Sequence, residues 1–240
     1  MNSICKNCGA VINGKFCSNC GQPASTQAIS ASFVVHDLQH GLLHINGGIL
    51  HSARELFTRP GYSIREYIEG KRMKHYKPIS MLIILAGFYS LLYHALGINV
   101  FNGLDDDTFN YDDANEWIIH HFSIISLLLV PILSLCSYIV FNKQGYNYTE
   151  HIILNAFYSS QKLWLRILTI PLLLWQDMAV TITQFLMIAD LILMFWCYKQ
   201  FFTNLSELRA LLLTALSYIM NLLIMVILIA VVLLILSPYK

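Results

Sequence analysis

Four cysteines near the start of the chain have the spacing of a metal site. They follow the pattern Cys5-x2-Cys8-x8-Cys17-x2-Cys20, in which two Cys-x-x-Cys pairs can close on one tetrahedral ion. The pattern predicts a zinc ribbon over residues 1–22. Because thiolates fill all four positions, no position is left for a catalytic water, and the predicted Zn²⁺ is structural. The alternative, a pair of disulfides, requires an oxidising compartment.

The residues around the cysteines support the metal. A glycine follows each pair, Gly9 and Gly21, and can take the left-handed backbone conformation that turns N–H groups towards thiolates. Asn13-Gly14 between the pairs is a hairpin signal. A unit of about 20 residues cannot build a sufficient core, so we expect the metal to stabilise its fold.

The chain has the composition of a membrane protein. Over all 240 residues it is 56% hydrophobic and only 12% charged, with a mean hydropathy of +0.57. A helix needs about 20 apolar residues to cross the hydrocarbon core. The sequence predicts an all-α membrane bundle over residues 78–240, with about five spans. These are 78–97, 118–141, 152–175, 179–198 and 211–236.

The charged residues predict the orientation of these spans. The segment before the first span is rich in lysine and arginine, whereas the loop 98–117 has neither and carries six acidic residues. Because basic loops stay in the cytosol, we expect a cytosolic N-terminus and an external acidic loop. A reduced, cytosolic ribbon also favours zinc over disulfides.

Between the ribbon and the first span, residues 23–77 predict a short polar linker followed by amphipathic helices, which would lie at the cytosolic membrane surface or dock on the bundle. His36, His40 and His44 recur every four residues and would form a ridge on one helical face. This ridge could face a partner or hold a second metal. A basic run abuts the first span and is expected to bind lipid phosphates, with anionic lipids as the preferred ligand. The run comprises Lys71, Arg72, Lys74 and Lys77.

Three charged residues fall inside predicted spans, where they are costly and are expected to pair. Asp190 and Lys162 lie at similar depths on adjacent helices, so Lys162 is the preferred partner, with Arg166 as a competitor. Such a pair could simply fix helix packing, or it could belong to a proton or ion path.

The order of motifs resembles uncharacterised bacterial membrane proteins that are grouped as a domain of unknown function. The resemblance rests on the cysteine quartet, the His36 helix, Arg59-Pro60-Gly61, the segment from Arg65 to Arg72 and Tyr148-x-Glu150-His151. It implies a multi-pass protein of the bacterial cytoplasmic membrane with a cytosolic ribbon, and it implies no activity. By size and span count the chain is also similar to membrane accessory proteins of RNA-guided antiviral (CRISPR-type) systems.

These observations predict a non-enzymatic membrane adaptor or regulator. Its ribbon and its basic and histidine segment would bind a cytosolic protein, a nucleic acid or a protein–RNA partner, and the chain could form a homo-oligomer. An oligomeric pore or transporter is the alternative, and a metal-dependent lipid enzyme is the third candidate.

Overall fold

The computed structural model describes residues 3–26, 28–34, 48–99, 111–175 and 178–236, without the side chains of residues 111, 112, 114 and 229–236. In this part of the chain a two-stranded hairpin precedes eight α-helices and a 3₁₀ turn at Asn142–Gln144, and residues 31–34 are also helical, which confirms the predicted all-α membrane class. The strands are β1 (Ser3–Ile4) and β2 (Val11–Ile12). The helices are α1 (Gly48–Thr58), α2 (Pro60–Glu69), α3 (Pro78–Ala95), α4 (Tyr111–His120), α5 (Phe122–Val140), α6 (Tyr148–Leu173), α7 (Ala179–Phe201) and α8 (Glu207–Leu236).

The N-terminal hairpin has almost no core of its own. β1 and β2 pair antiparallel, with Ser3 opposite Ile12 and Ile4 opposite Val11. The buried hydrophobic cluster of this unit consists of Cys5, Ile12 and Cys17. So small a cluster cannot offset the entropy of ordering the chain, so a cross-link by a metal is needed to hold it.

Four helices are long and apolar enough to cross a membrane among the described residues: α3, α5, α7 and the Glu207–Leu228 part of α8. The predicted span 118–141 is divided at His121 into α4 and α5. The crossing predicted at 152–175 corresponds to α6, which is not among the four. Its 26 residues would reach about 39 Å, so its polar composition rather than its length sets it apart.

Helix α6 is the centre of the bundle. It packs against α3, α5 and α7 and also against α1 and α2. Because its neighbours cover it, it can carry buried polar residues that a lipid-facing helix could not. The outer helices show the opposite pattern, with large apolar side chains such as Leu128, Ile188 and Leu223 exposed. Surfaces of this kind fit a bilayer, and the crossing by α6 stays a prediction.

Helices α1 and α2 form a hairpin that packs into the bundle. Pro60 begins α2, where its missing N–H costs nothing, and Gly70 ends it in the left-handed conformation with φ of +117°. Gly61 lies directly against the end of α7, where its N–H donates to the Gln200 side chain at 3.2 Å. Helix α2, which belongs to the predicted amphipathic segment, therefore packs against both α6 and α7.

The closest backbone approach in this wedge gives a first prediction. A Cβ at Gly61 would lie 2.3 Å from both the Cys197 carbonyl oxygen and the Phe201 nitrogen. Because backbone atoms cannot move aside, Gly61→Ala should destabilise the protein by about 2 kcal/mol or more. Thermal unfolding in detergent measures the loss.

Gly87→Ala in α3 is the matched control. Its Cβ would meet only the Ser123 hydroxyl, at 3.7 Å. Helical alanine is favoured over glycine by about 0.5–1 kcal/mol, so this variant should be at least as stable as the parent. Equal stability of the two variants would show that the α2–α7 contact is loose.

Candidate functional site

The two cysteine pairs sit on equivalent backbone turns. The Cys5 N–H donates to the Ala10 carbonyl at 2.9 Å, and the Gly9 N–H donates to the Cys5 carbonyl at 2.9 Å. Cys17 repeats this arrangement with Gln22 and Gly21, each at 2.8 Å. Gly9 and Gly21 have φ of +75° and +76°, so both glycines adopt the conformation that the sequence predicts.

The turns bring the four sulfurs together. All four lie within 4.8 Å of one another, with Cys5 Sγ 3.5 Å from Cys20 Sγ and Cys8 Sγ 3.5 Å from Cys17 Sγ. A disulfide requires about 2.05 Å, and all four cysteines are free. A tetrahedron of thiolates 2.3 Å from a metal has edges of about 3.8 Å. The cluster is therefore compatible with a single four-coordinate metal ion.

The thiols differ in acidity. Hydrogen bonds from the Ala10 backbone and then from the Asn19 side chain lower the pKa of Cys8 to about 6. The Gln22 backbone lowers the pKa of Cys20, but desolvation and the neighbouring thiols Cys5 and Cys8 outweigh it and raise that pKa to about 11. Without a metal, Cys8 therefore loses its proton more readily than Cys20 does. A divalent cation would replace those protons and let all four sulfurs carry charge.

The cysteine unit is attached to the helical bundle. Gln22 is buried, and its Nε2 donates to the Gly70 carbonyl at 2.9 Å and to Thr26 Oγ1 at 3.0 Å. Its Oε1 accepts from the Arg72 backbone N–H at 3.4 Å. Gln22, the last residue of the predicted ribbon, therefore ties the unit to the end of α2 as a buried amide with three partners.

Two residues of the basic run, Lys71 and Arg72, make contacts within the protein. Lys71 pairs with Glu66 at 3.1 Å, and the Arg72 guanidinium lies 4.6 Å from the centre of the Phe33 ring and donates to the Tyr67 carbonyl. Lys74 is exposed and Lys77 is half-buried. Arg72 therefore joins α2 to the cysteine unit, and lipid binding by the run stays a prediction.

The intramembrane ion pair forms with a different cation from the preferred one. Arg166 Nη2 lies 2.8 Å from Asp190 Oδ2. The Lys162 ammonium instead lies 5.2 Å from the centre of the Tyr158 ring. The preference for Lys162 is corrected to Arg166, whose longer side chain reaches Asp190 from one helical turn further along α6.

A buried polar network on α6 was missed by sequence reasoning. Asn155 Nδ2 donates to Ser137 Oγ at 3.0 Å, and Asn155 Oδ1 accepts from the Tyr198 hydroxyl at 2.6 Å. Ser137 Oγ also lies 2.9 Å from His151 Nδ1. His151 and Asn155 are four residues apart and so share one face, which was the available signal. Because none of these side chains is exposed, they join α5, α6 and α7 and are closed to a substrate.

A half-buried histidine, His75, lies just before the first span. The His75 ring is 5.3 Å from the His51 ring and 6.4 Å from the Phe157 ring. Burial, followed by the charge of His51, lowers the pKa of His75 to about 4. His75 is therefore neutral at physiological pH and acts as an aromatic packing group between α1 and α6.

The predicted histidine ridge of His36, His40 and His44 lies outside the described residues, as do Asp105, Asp106 and Asp107 of the acidic loop. Within the described part of the chain, the cysteine quartet is the one cluster of histidine, cysteine and acidic side chains close enough to hold a metal.

One protein family is similar to part of this chain. A family model described as "Protein of unknown function (DUF3667)" matches residues 46–90. No curated protein and no solved structure matches the chain. The matched segment comprises α1, α2, the basic run and most of α3, and it includes Arg59-Pro60-Gly61 on which the expected resemblance partly rests. The match supports an uncharacterised domain family. It does not extend to the cysteine quartet, which lies before residue 46.

The corrected ion pair gives a second prediction. Asp190→Ala would leave Arg166 unpaired inside the bundle and should cost about 3 kcal/mol of stability. Arg166→Met combined with Asp190→Leu removes both charges and should recover most of that loss. Folded yield and thermal unfolding in detergent measure both. Lys162→Met with Asp190→Leu is the control, and recovery there instead would restore Lys162 as the partner.

His75 gives a third prediction. Its pKa is 6.5 when unfolded and about 4 when folded, so protons bind the unfolded state first. The stability of the parent should fall by up to about 3 kcal/mol as the pH drops from about 6.5 to about 4 and should not change on this account above 6.5. His75→Gln should flatten this slope in unfolding titrations, whereas exposed His94→Gln should not. Glu55, Glu66, Arg59 and His51 also face His75 and are kept unchanged in both variants.

Proposed function

We propose that this protein is a non-enzymatic membrane adaptor whose cysteine unit is a structural zinc ribbon that binds a cytosolic protein. The observation that carries the proposal is a ribbon with two different faces. One face is attached to the bundle by Gln22. The other face presents apolar side chains to solvent.

The apolar face is built by the hairpin. Ile4 and Val11 are cross-strand partners and so lie on the same face, where they are 71% and 51% exposed. Phe16 is 62% exposed. Three large apolar groups on so small a unit are not needed for its fold. Exposed apolar patches on small folded units are typical of protein-binding surfaces.

Charge favours a protein over a nucleic acid as the partner. Residues 1–26 contain two basic side chains, Lys6 and Lys15, and no acidic ones. Four thiolates around Zn²⁺ carry a charge of −2, which offsets the two lysines. The side chain of Lys6 also packs against Gly70, so closely that a Cβ added at Gly70 would lie 2.8 Å from Lys6 Cδ. A nearly neutral ribbon cannot supply the several phosphate contacts on which nucleic-acid affinity depends.

Zinc is the metal proposed because four thiolates in a small unit suit it and leave no open position. We place the ribbon in the cytosol, where thiolates stay reduced, on a bacterial cytoplasmic membrane. The buried contacts of Gln22 and Gly61 would then hold the bound partner at a fixed position relative to the bundle.

A photo-crosslinker at Val11 in the full-length, membrane-inserted protein tests the proposal. We expect a discrete protein adduct and about one zinc per chain by elemental analysis. Ile4→Ser with Phe16→Ser should remove the adduct and retain the zinc, because these side chains point away from the cysteines. Cys8→Ser should lose both zinc and adduct while the helices remain inserted.

A crosslinker at Leu128, which lies on the exposed side of α5, is the control and should give lipid adducts only. An RNA adduct at Val11 would contradict the protein partner and support a protein–RNA partner of the antiviral type. A lipid adduct there would show that the ribbon docks on the membrane. Purified protein without zinc, or with iron in its place, would contradict the structural zinc.

A further inference from the structure

A cavity lies inside the helical bundle, away from the cysteine unit. It has a volume of about 230 Å³ and is enclosed by α3, α5, α6 and α8. Its polar lining consists of Ser126, Ser159, Lys162, Arg166 and Asn221. Apolar side chains, including Leu82 and Phe122, form the remaining wall. The volume is several times the share of one water molecule, about 30 Å³, and approaches that of small-ligand sites.

The charges that line or adjoin this cavity do not balance. Arg166 is paired with Asp190, whereas Lys162 has no carboxylate within ion-pair distance in the described part of the chain. Two cations and one anion leave a local charge of +1. An uncompensated cation among apolar helices is costly, and an anion between the Lys162 ammonium and the Arg166 guanidinium would remove that cost.

We propose that the cavity binds one anionic lipid headgroup together with the start of its acyl chain. The mixture of lining groups carries this assignment. Two cations, two hydroxyls and an amide can bind a carboxylate or phosphate, and the leucine and phenylalanine side chains suit a hydrocarbon chain. A free inorganic anion would leave the apolar wall unused.

The cavity also has a side from which a lipid can enter. Ser126 on α5 and Asn221 on α8 are only partly buried. A lipid could therefore reach the cavity between α5 and α8 without crossing the aqueous phase. This site does not depend on the adaptor role of the ribbon.

Lipid binding to delipidated full-length protein tests the assignment by native mass spectrometry and thermal shift. Four probes distinguish the sources of the anion: oleate for a carboxylate, phosphatidylglycerol for a lipid phosphate, phosphatidylcholine for a zwitterion and inorganic phosphate for a free anion. We expect one molecule of oleate or phosphatidylglycerol per chain, with a rise in melting temperature. Phosphatidylcholine and inorganic phosphate should produce neither effect.

Matched variants locate the site. Lys162→Met should weaken binding by about tenfold or more, whereas Lys162→Arg should retain it. Ser126→Leu fills the cavity without changing any charge and should also abolish binding, which keeps the test decisive if Lys162→Met folds poorly. Lys143→Met, at an exposed position in the connection between α5 and α6, should have no effect.

Three results would overturn the proposal. Equal binding by the parent, Lys162→Met and Ser126→Leu would place the lipid elsewhere on the bundle. Equal stabilisation by phosphatidylcholine would remove the requirement for an anion. Stabilisation by inorganic phosphate alone would identify a site for a free anion and not for a lipid. Because Cys8→Ser leaves the cavity intact, failure of the ribbon proposal would be seen separately.

Discussion

The buried polar residues of α6 are the constraint on which the rest of the structure depends. This helix carries His151, Asn155 and Gln161 with none of them exposed. Such groups are costly in hydrocarbon without hydrogen-bond partners, and three neighbouring helices supply them. Ser137 of α5 and Tyr198 of α7 bind His151 and Asn155, and the Leu56 carbonyl of α1 accepts from Gln161 at 2.7 Å.

This constraint explains why the segment before the first span folds into the bundle. Gln161 needs a partner deep in the structure, and the end of α1 provides it. The α1–α2 turn then brings Gly61 against α7, and Tyr76 closes the segment by donating its N–H to Ser52 Oγ at 2.7 Å. A helix lying on the membrane surface would not have supplied this acceptor to Gln161 Nε2. The position of residues 48–76 is thus determined by the hydrogen bonds that buried polar groups make with them.

The sequence predicted the elements that depend on local rules. The cysteine turns follow from spacing and from the two glycines, and α3, α5, α7 and α8 follow from long apolar runs. What escaped prediction depends on contacts between distant parts of the chain. The anchoring contact of Gln22 is one of these, because its partner Gly70 lies 48 residues away. Asp190 pairs with Arg166 and not with Lys162 because of side-chain length and the rotation of each helix about its axis. The depth of a residue along its helix, which is all that the sequence supplies, predicts neither. The polar residues of α6 lower its hydropathy and make it the weakest of the predicted spans. They are tolerated because neighbouring helices bury them.

The segment that matches the family model is also the segment through which the two parts of the protein are joined. Gly70 and Arg72 contact Gln22 of the cysteine unit, and Leu56 and Gly61 contact α6 and α7. Both sets of contacts lie within residues 46–90. Between them α2 runs for ten residues, about 15 Å of hydrogen-bonded backbone, so a displacement at one end cannot be absorbed by slack along the way. A force on the ribbon would therefore be passed to the middle of α6, through Gln161, and to the end of α7, through Gln200. Residues 48–76 are thus a rigid connection between the cysteine unit and the bundle.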